Sequence, residues 1–173
     1  MEIDVADLVR AYSKAPFARL EPGSNELLKS LQESGHRVVI LTNGYEKYQR
    51  PLIESLGLEN YDLLVTPDKI GYIKPQPEAF RIAAKPFLAK DSQEPVVVGD
   101  SILFDIWGAS LAGFRAIWLR KDRVARTGLV SLPDLGGLVR RTARREGLES
   151  HVKIIPDLTV PFVVDLRGVG KLI

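Results

Sequence analysis

Short apolar runs alternate with amphipathic segments along most of the chain. Residues 37–41 are too short and too rich in β-branched residues to be a buried helix, so they predict a strand buried on both faces. Residues 95–98 also predict a strand. Apolar, strand-like runs recur at 62–66, 115–119 and 162–165. Apolar positions at helical spacing predict the intervening helices, at 4–14, 45–56, 77–88 and 101–112.

Glycine and proline mark the ends of a further predicted helix. Pro22-Gly23-Ser24 predicts a turn and a helix N-cap, and Gly35 stands where a helix C-terminus favours glycine. Strands that alternate with helices through short connections require a parallel sheet with helices on both faces, because such crossovers are right-handed. We therefore predict an α/β fold, a Rossmann-like three-layer sandwich with a mostly parallel sheet, in a single domain over 1–173.

The segment 120–161 departs from this alternation because it is long for a connection between a helix and a strand. It contains a predicted helix at 134–146 on which four arginines lie close together. Two interpretations stay open, a solvated helix face and a site for a partner or an anionic ligand. The four arginines are Arg140, Arg141, Arg144 and Arg145.

Composition narrows the class of protein. Of 173 residues, 45% are hydrophobic and 27% are charged, as in globular domains. The absence of cysteine excludes disulfides, thiolate zinc sites and a cysteine nucleophile, and it favours a cytoplasmic protein. No apolar stretch approaches the roughly 18 residues of a membrane span. A net charge of +2 makes nucleic acid an unlikely partner.

Polar residues that suit phosphate chemistry follow two of the predicted strands. In an open parallel sheet, ligands bind beyond the carboxyl ends of the strands. Thr42 lies there after the first strand, where its hydroxyl can bind a phosphate oxygen. The backbone N–H groups of Asn43 and Gly44, at the start of the next helix, can add anion-binding donors.

A lysine and two aspartates complete the candidate set. Lys74 precedes Pro75 in a stiff loop, and a fixed cation can neutralise a phosphoryl group. Asp100 closes an apolar strand and Asp105 follows about one helical turn later, so both carboxylates can face one point. Such a pair suits Mg²⁺, which takes one or two carboxylates with waters and substrate phosphate. The alternative is that Asp100 or Ser101 is a simple cap of the following helix.

In this order the motifs resemble those of the haloacid dehalogenase (HAD) superfamily of phosphatases and related hydrolases. The likeness extends from Pro22 to Asp165. It implies that Thr42 binds phosphate, that Lys74 neutralises it, and that Asp100 and Asp105 hold Mg²⁺. Receiver domains use a similar set, but their acidic cluster precedes the threonine and lysine, which excludes them.

The chain departs from the family at the nucleophile. HAD enzymes begin with a strand that ends in Asp-x-Asp, whose first aspartate attacks phosphorus, and the sequence contains no Asp-x-Asp. We interpret Met1 as lying inside a longer ancestral frame, with the first strand and most of the cap absent and 1–21 a remnant of cap and linker. The alternatives are a capless member that uses Asp4 and a circular permutation that uses Asp165.

These observations lead to two hypotheses about function. The first is a HAD-type scaffold, by resemblance a Mg²⁺-dependent phosphatase for a small phosphorylated metabolite, that is inactive as this isolated chain. The second is a noncatalytic phosphate-binding or assembly module. In the family the missing strand lies between the strands that end at Thr42 and Asp100, so we expect unpaired edges that favour self-association or a complementing N-terminal segment.

Overall fold

A computed structural model describes residues 4–13, 16–88, 94–119, 128–130, 132–147 and 160–163. The chain forms two compact units, Met1–Ile73 and Lys74–Ile173, which we describe separately. Within the described part of the chain, no helix is both long and apolar enough to cross a bilayer. The single domain over 1–173 stays a prediction.

The first unit contains two parallel strands and four helices. In chain order these are α1 (Val5–Tyr12), α2 (Ser24–Glu33), β1 (Val39–Leu41), α3 (Glu46–Ser55), β2 (Leu63–Val65) and α4 (Pro67–Ile70). Val39 of β1 pairs with Leu63 and Leu41 pairs with Val65. The unit follows the predicted alternation, except that the short α4 was not predicted.

Glycines set the ends of α2. Gly23 lies in the left-handed region at φ 86° and is the N-cap, within the predicted Pro22-Gly23-Ser24 turn, and no side chain caps this end of the helix. The Ser24 hydroxyl donates instead to the Glu21 carbonyl. Gly35, also at φ 86°, follows the helix, and the His36 N–H returns to the Leu31 carbonyl, as expected of a glycine-terminated helix.

Asp62 ties the starts of β1 and β2 together. Its Oδ2 accepts the Val38 N–H at 2.8 Å, and its Oδ1 accepts from Arg37 Nη1 at 3.2 Å. Its own N–H donates to the Val38 carbonyl at 2.7 Å. Burial acts to raise the pKa of Asp62, but the hydrogen bonds from Val38, Gln32 and Arg37 outweigh it and hold that pKa below its ordinary value.

The second unit contains a four-stranded sheet in the order β3-β4-β6-β5. The first three of these strands are parallel, and β5 runs antiparallel to β6. Its elements are α5 (Pro77–Leu88), β3 (Val96–Gly99), a π-helix (Ile102–Trp107), α6 (Gly108–Ala112), β4 (Arg115–Leu119), β5 (Gly128–Val130), α7 (Leu132–Arg145) and β6 (Val160–Val163). These parallel strands and helices confirm the predicted α/β class.

The π-helix supplies much of the buried core of the second unit. Four of its apolar side chains are buried almost completely, as are Ile117 of β4 and Val139 of α7. The buried π-helix residues are Ile102, Leu103, Ile106 and Trp107. Tight packing on this side fixes the element that also carries Asp105.

The described elements differ from the predicted ones in three places. The segment 101–112 was predicted as one α-helix, but its first half is a π-helix, because the Ile106 N–H reaches back five residues to the Ser101 carbonyl. The short β5 was not predicted. β6 begins at Val160, two residues before the predicted start at Phe162, and the predicted strand residues 164–165 and the terminal helix lie outside the described residues.

Strand β1 is less enclosed than predicted, and β3 is also partly exposed. The three residues of β1 are half-buried, although the sequence predicted burial on both faces, and Val98 of β3 is 37% exposed. Among the described strands, β1 pairs with β2 alone and β3 with β4 alone. Each therefore has one edge without a partner among the described strands, and the absence of a central strand stays a prediction.

We expect Asp62→Asn to lower the free energy of unfolding at pH 7 by about 1–3 kcal/mol, because it weakens a charged acceptor of three hydrogen bonds. Since the folded pKa of Asp62 lies below the unfolded value of about 3.9, this stabilisation is complete above about pH 5 and is lost as the pH falls through the folded pKa. Urea unfolding of both proteins should therefore give curves that converge in acid.

Glu59→Gln is the matched control, because Glu59 is an exposed carboxylate of the same unit. Its free energy of unfolding should equal that of the wild type both at pH 7 and in acid. A difference between Asp62→Asn and wild type that persists unchanged in acid would contradict the role given to the Asp62 charge.

Candidate functional site

The turn that follows β3 is fixed on both sides. Gly99 pairs with Trp118 of β4, and the Trp118 indole N–H donates to the Asp100 carbonyl at 3.1 Å. The Ser101 hydroxyl then accepts the Phe104 N–H at 3.1 Å and so caps the π-helix. Ser101, not Asp100, is therefore the cap, and the Asp100 side chain is exposed. The capping alternative for Asp100 is wrong.

The wide first turn of the π-helix returns Asp105 to the start of the element. The N–H groups of Asp105 and Ile106 both donate to the Ser101 carbonyl, at 2.9 and 3.2 Å. The Asp105 side chain is buried, and its Oδ2 accepts the Ser101 N–H at 2.9 Å. This carboxylate thus closes a loop with the backbone directly after Asp100.

Lys74 binds the other oxygen of the same carboxylate. Its Nζ donates to Asp105 Oδ1 at 2.5 Å, and the two side chains are only 17% and 9% exposed. A pair so little exposed is screened weakly by solvent, and loss of one partner would leave a charge buried alone. The ion pair therefore fixes the lysine ammonium at the carboxyl end of β3.

Two glycines leave room for this arrangement. A Cβ on Gly99 would lie 2.4 Å from the Cβ, Cγ and Oδ2 atoms of Asp105. A Cβ on Gly108 would lie 2.5 Å from the Phe80 ring and 3.0 Å from Pro75 Cα, in the loop that carries Lys74. Side chains at either position would push the two halves of the ion pair apart.

The two carboxylates differ in how much of their ligand capacity is open to Mg²⁺. Both oxygens of Asp105 already accept hydrogen bonds, from Lys74 and Ser101, whereas Asp100 presents its carboxylate at an exposed position. In the part of the chain that the structure describes, no three acidic or histidine side chains converge. The residues fit a magnesium ion held by one or two carboxylates and completed by water and phosphate.

Thr42 lies in the first unit, directly after β1, as predicted. Its N–H donates to the Val65 carbonyl at 3.1 Å, and its Oγ1 accepts the Gly44 N–H at 3.1 Å. The Thr42 hydroxyl therefore keeps its own proton for an outside acceptor. The Gly44 N–H, which we predicted as an anion donor, is used within the turn.

Asp68 holds the helix that follows this turn. The Glu46 N–H, at the start of α3, donates to Asp68 Oδ1 at 3.1 Å. That hydrogen bond is the largest cause that keeps the pKa of Asp68 below its ordinary value. The sequence analysis missed this contact, because nothing in the local pattern links α4 to the start of α3.

The structure thus brings Lys74, Asp105 and the Asp100 turn together in the second unit. Their convergence with Thr42, which belongs to the first unit, stays a prediction. Ser101 was one of the two caps that the sequence suggested, whereas nothing in the sequence pointed to Trp118, whose indole N–H donates to the Asp100 carbonyl. Gly99 could have been found, because a glycine before Asp100 interrupts an otherwise β-branched strand.

Asp4 and Asp165 are the two alternative candidates for the nucleophile. Asp4 is exposed and directly precedes α1, where its carbonyl accepts the Leu8 N–H at 3.1 Å. It begins a helix and does not end a strand, as the sequence indicated. Asp165 lies outside the described residues.

Comparison with known families gives one extended match. A family model described as haloacid dehalogenase-like hydrolase matches residues 2–113. Among curated proteins, the chain is 35% identical over 115 residues to the glyceraldehyde 3-phosphate phosphatase of Pyrococcus abyssi, covering 65% of this chain and 48% of that protein. The chain spans about half the length of the curated relatives it matches.

Solved structures of HAD proteins are also similar to this chain. The crystal structure of a HAD phosphatase from Thermococcus onnurineus is similar with a TM-score of 0.61 and 28% identity, covering 72% of this chain and 57% of that one. The structure of the HAD hydrolase YfnB of Bacillus subtilis, solved with bound magnesium, is similar with a TM-score of 0.54 and 27% identity. The match covers 60% of this chain and 47% of that one.

We expect Asp105→Asn to lower the free energy of unfolding by about 2–4 kcal/mol. The amide has nearly the same shape, but its NH₂ must face either Lys74 Nζ or the Ser101 N–H, and both are donors. Urea unfolding at neutral pH measures the loss.

Asp100→Asn is the matched control for this substitution. Because the Asp100 side chain is exposed, its replacement should change stability by less than about 1 kcal/mol. Equal losses for the two variants would show that the buried ion pair does not distinguish the two carboxylates.

Proposed function

Since this chain belongs to the haloacid dehalogenase-like hydrolase family, we propose that it carries the phosphate-holding part of a Mg²⁺-dependent phosphatase site for a small phosphomonoester. The observation that supports this most is the buried Lys74–Asp105 ion pair beside the Asp100 turn. The named activity of the Pyrococcus relative is consistent with such a substrate.

Lys74 is proposed to neutralise the phosphoryl group. Asp105 takes one of the N–H donors of the ammonium and holds the side chain in a single place. A cation fixed in advance needs no reorganisation when an anion arrives, and it acts most strongly where water is excluded. Asp105 is therefore a positioning residue for Lys74 in this proposal.

Thr42 is proposed to donate a hydrogen bond to a phosphate oxygen. Because its Oγ1 already accepts the Gly44 N–H, the hydroxyl proton is directed away from that donor and towards an outside acceptor. The Asn43 N–H is proposed as a second donor from the same turn. This assignment follows the position of Thr42 after β1.

Asp100 is proposed to hold Mg²⁺, with Asp105 as the second carboxylate, because a carboxylate has about four lone-pair sites and Lys74 and Ser101 take one on each Asp105 oxygen. A bound Mg²⁺ would neutralise charge on the phosphoryl oxygens. Asp100 suits this role because it is exposed, whereas Asp105 already binds Lys74 and Ser101. The Trp118 indole holds the Asp100 backbone in place for it.

The missing nucleophile bears on whether this polypeptide can hydrolyse a phosphomonoester. Hydrolysis through an aspartyl-phosphate needs a nucleophilic aspartate, and the 173 residues contain no Asp-x-Asp. We therefore propose that this 173-residue polypeptide binds phosphate without hydrolysing a phosphomonoester. The same observation favours the second candidate, a noncatalytic phosphate-binding or assembly module. The β1 and β3 edges, which have no second partner among the described strands, would suit such a module.

Thermal unfolding of the purified chain tests binding. With Mg²⁺ present, inorganic phosphate at about 100 times its dissociation constant should stabilise the protein by about 2.7 kcal/mol, seen as a rise of several degrees in Tm. Thr42→Ala should reduce that rise because it removes the hydroxyl donor. Thr142→Ala, in α7, is the matched control and should respond as wild type does. No phosphate effect on the wild type would overturn the proposal.

Turnover is tested separately with p-nitrophenyl phosphate and Mg²⁺. We expect the wild-type chain to release no more p-nitrophenol than Asp4→Asn and Asp165→Asn do. Robust turnover that either substitution abolishes would identify a nucleophile that the proposal does not include.

A further inference from the structure

Helix α7 has two faces of opposite character. Its inner face is fully buried at Val139 and Ala143, which are 1% and 0% exposed, and the helix packs against the π-helix. Four arginines of the same helix are exposed: Arg140, Arg141, Arg144 and Arg145. We call these four residues the arginine stripe.

The stripe lies opposite the buried face. At about 100° of rotation per residue, the four arginines lie between about 100° and about 240° from Val139, whereas Ala143 lies at about 40°. A Cβ on Gly137 would lie 3.3 Å from Arg141 Nη1, so the Arg141 guanidinium lies back over the glycine backbone. All four charges thus share one outward side of a helix whose other side is fixed in the core.

Helix stability accounts for only part of this pattern. Arg144 and Arg145 lie in the last turn, where cations favour the helix dipole, and Arg145 pairs with Glu146 at 3.3 Å. Arg140 and Arg141 lie before that turn, and no acidic side chain in the described ranges pairs with either. Arg140 and Arg144 are four residues apart, as are Arg141 and Arg145, and each like-charge pair of this spacing costs about 0.2–0.5 kcal/mol.

We propose that the arginine stripe is a docking surface for an acidic segment of a partner protein. Guanidinium groups match carboxylates in bidentate geometry, and exposed arginines of one sign on a rigid helix complement a row of carboxylates. The stripe is about 7.5 Å long, close to one and a half helical turns. That length suits two or three carboxylates on a partner helix or strand.

Charge balance favours an acidic protein over nucleic acid. The chain as a whole has 24 basic and 22 acidic residues, so its net charge is only +2. A nucleic-acid surface normally extends over a larger basic area and raises the charge of the whole domain. This surface is independent of the proposed phosphate site, because none of its four arginines belongs to that site.

Fluorescence anisotropy with a labelled oligo-glutamate peptide tests the proposal. The full chain should bind the peptide more weakly as salt rises, and Arg140→Glu/Arg141→Glu should weaken binding at least about tenfold. Arg140→Gln/Arg141→Gln should weaken binding less, since this double substitution removes two positive charges without introducing negative ones. Arg19→Glu/Lys85→Glu changes net charge equally at exposed positions elsewhere and should bind as wild type does.

Circular dichroism should show that all three variants keep the wild-type fold, because every substituted side chain is exposed. Three results would overturn the proposal: no binding of oligo-glutamate by the wild type, an equal loss of binding in the Arg19/Lys85 control, or tighter binding of a DNA oligonucleotide of equal charge that the stripe variants also lose. The last result would assign the stripe to nucleic acid instead.

Discussion

The buried ion pair between Lys74 and Asp105 is the contact on which the rest of the candidate site depends. It joins the loop before α5 to the π-helix after β3, two segments that are 31 residues apart in sequence. In the second unit, the packing of the π-helix, the space left by Gly99 and Gly108, and the hydrogen bond from the Ser101 N–H all hold this contact in place. If the pair opens, the lysine loses its fixed position and a carboxylate is left buried without its cation.

The pair also separates the roles of two aspartates that look equivalent in the sequence. Asp105 is buried, and both of its oxygens are already bonded within the protein, to Lys74 and Ser101. Asp100 is exposed, and its backbone is held by the Trp118 indole. One carboxylate therefore orders the cation, while the other stays at the surface where a metal ion and its waters can reach it.

Much of this organisation could be predicted from the sequence, because it follows from periodicity. The helices at Val5–Tyr12, Glu46–Ser55 and Pro77–Leu88 and the strand at Arg115–Leu119 lie where the apolar pattern indicated. The π-helix could not be predicted, because the same apolar spacing suits an α-helix and only the hydrogen bonds of the Ser101 carbonyl distinguish the two. β5 and α4 are too short for periodicity to detect.

The candidate site was predictable as a set of residue types but not as a set of contacts. Lys74, Asp100 and Asp105 were identified from their positions after strands and before proline, whereas the hydrogen bond from the Ser101 N–H to Asp105 depends on the π-helical turn. Helix α7 was also predicted, with its arginines on one side, and the structure adds that its opposite side is fixed against the π-helix.

A crystal structure of the chain grown with Mg²⁺ and phosphate tests the central claim most directly. The account predicts a phosphate oxygen within hydrogen-bonding distance of Lys74 Nζ, Mg²⁺ on the Asp100 carboxylate, and Asp105 still paired with Lys74. Phosphate bound only at the arginine stripe, or Lys74 turned away from both Asp105 and the anion, would contradict it.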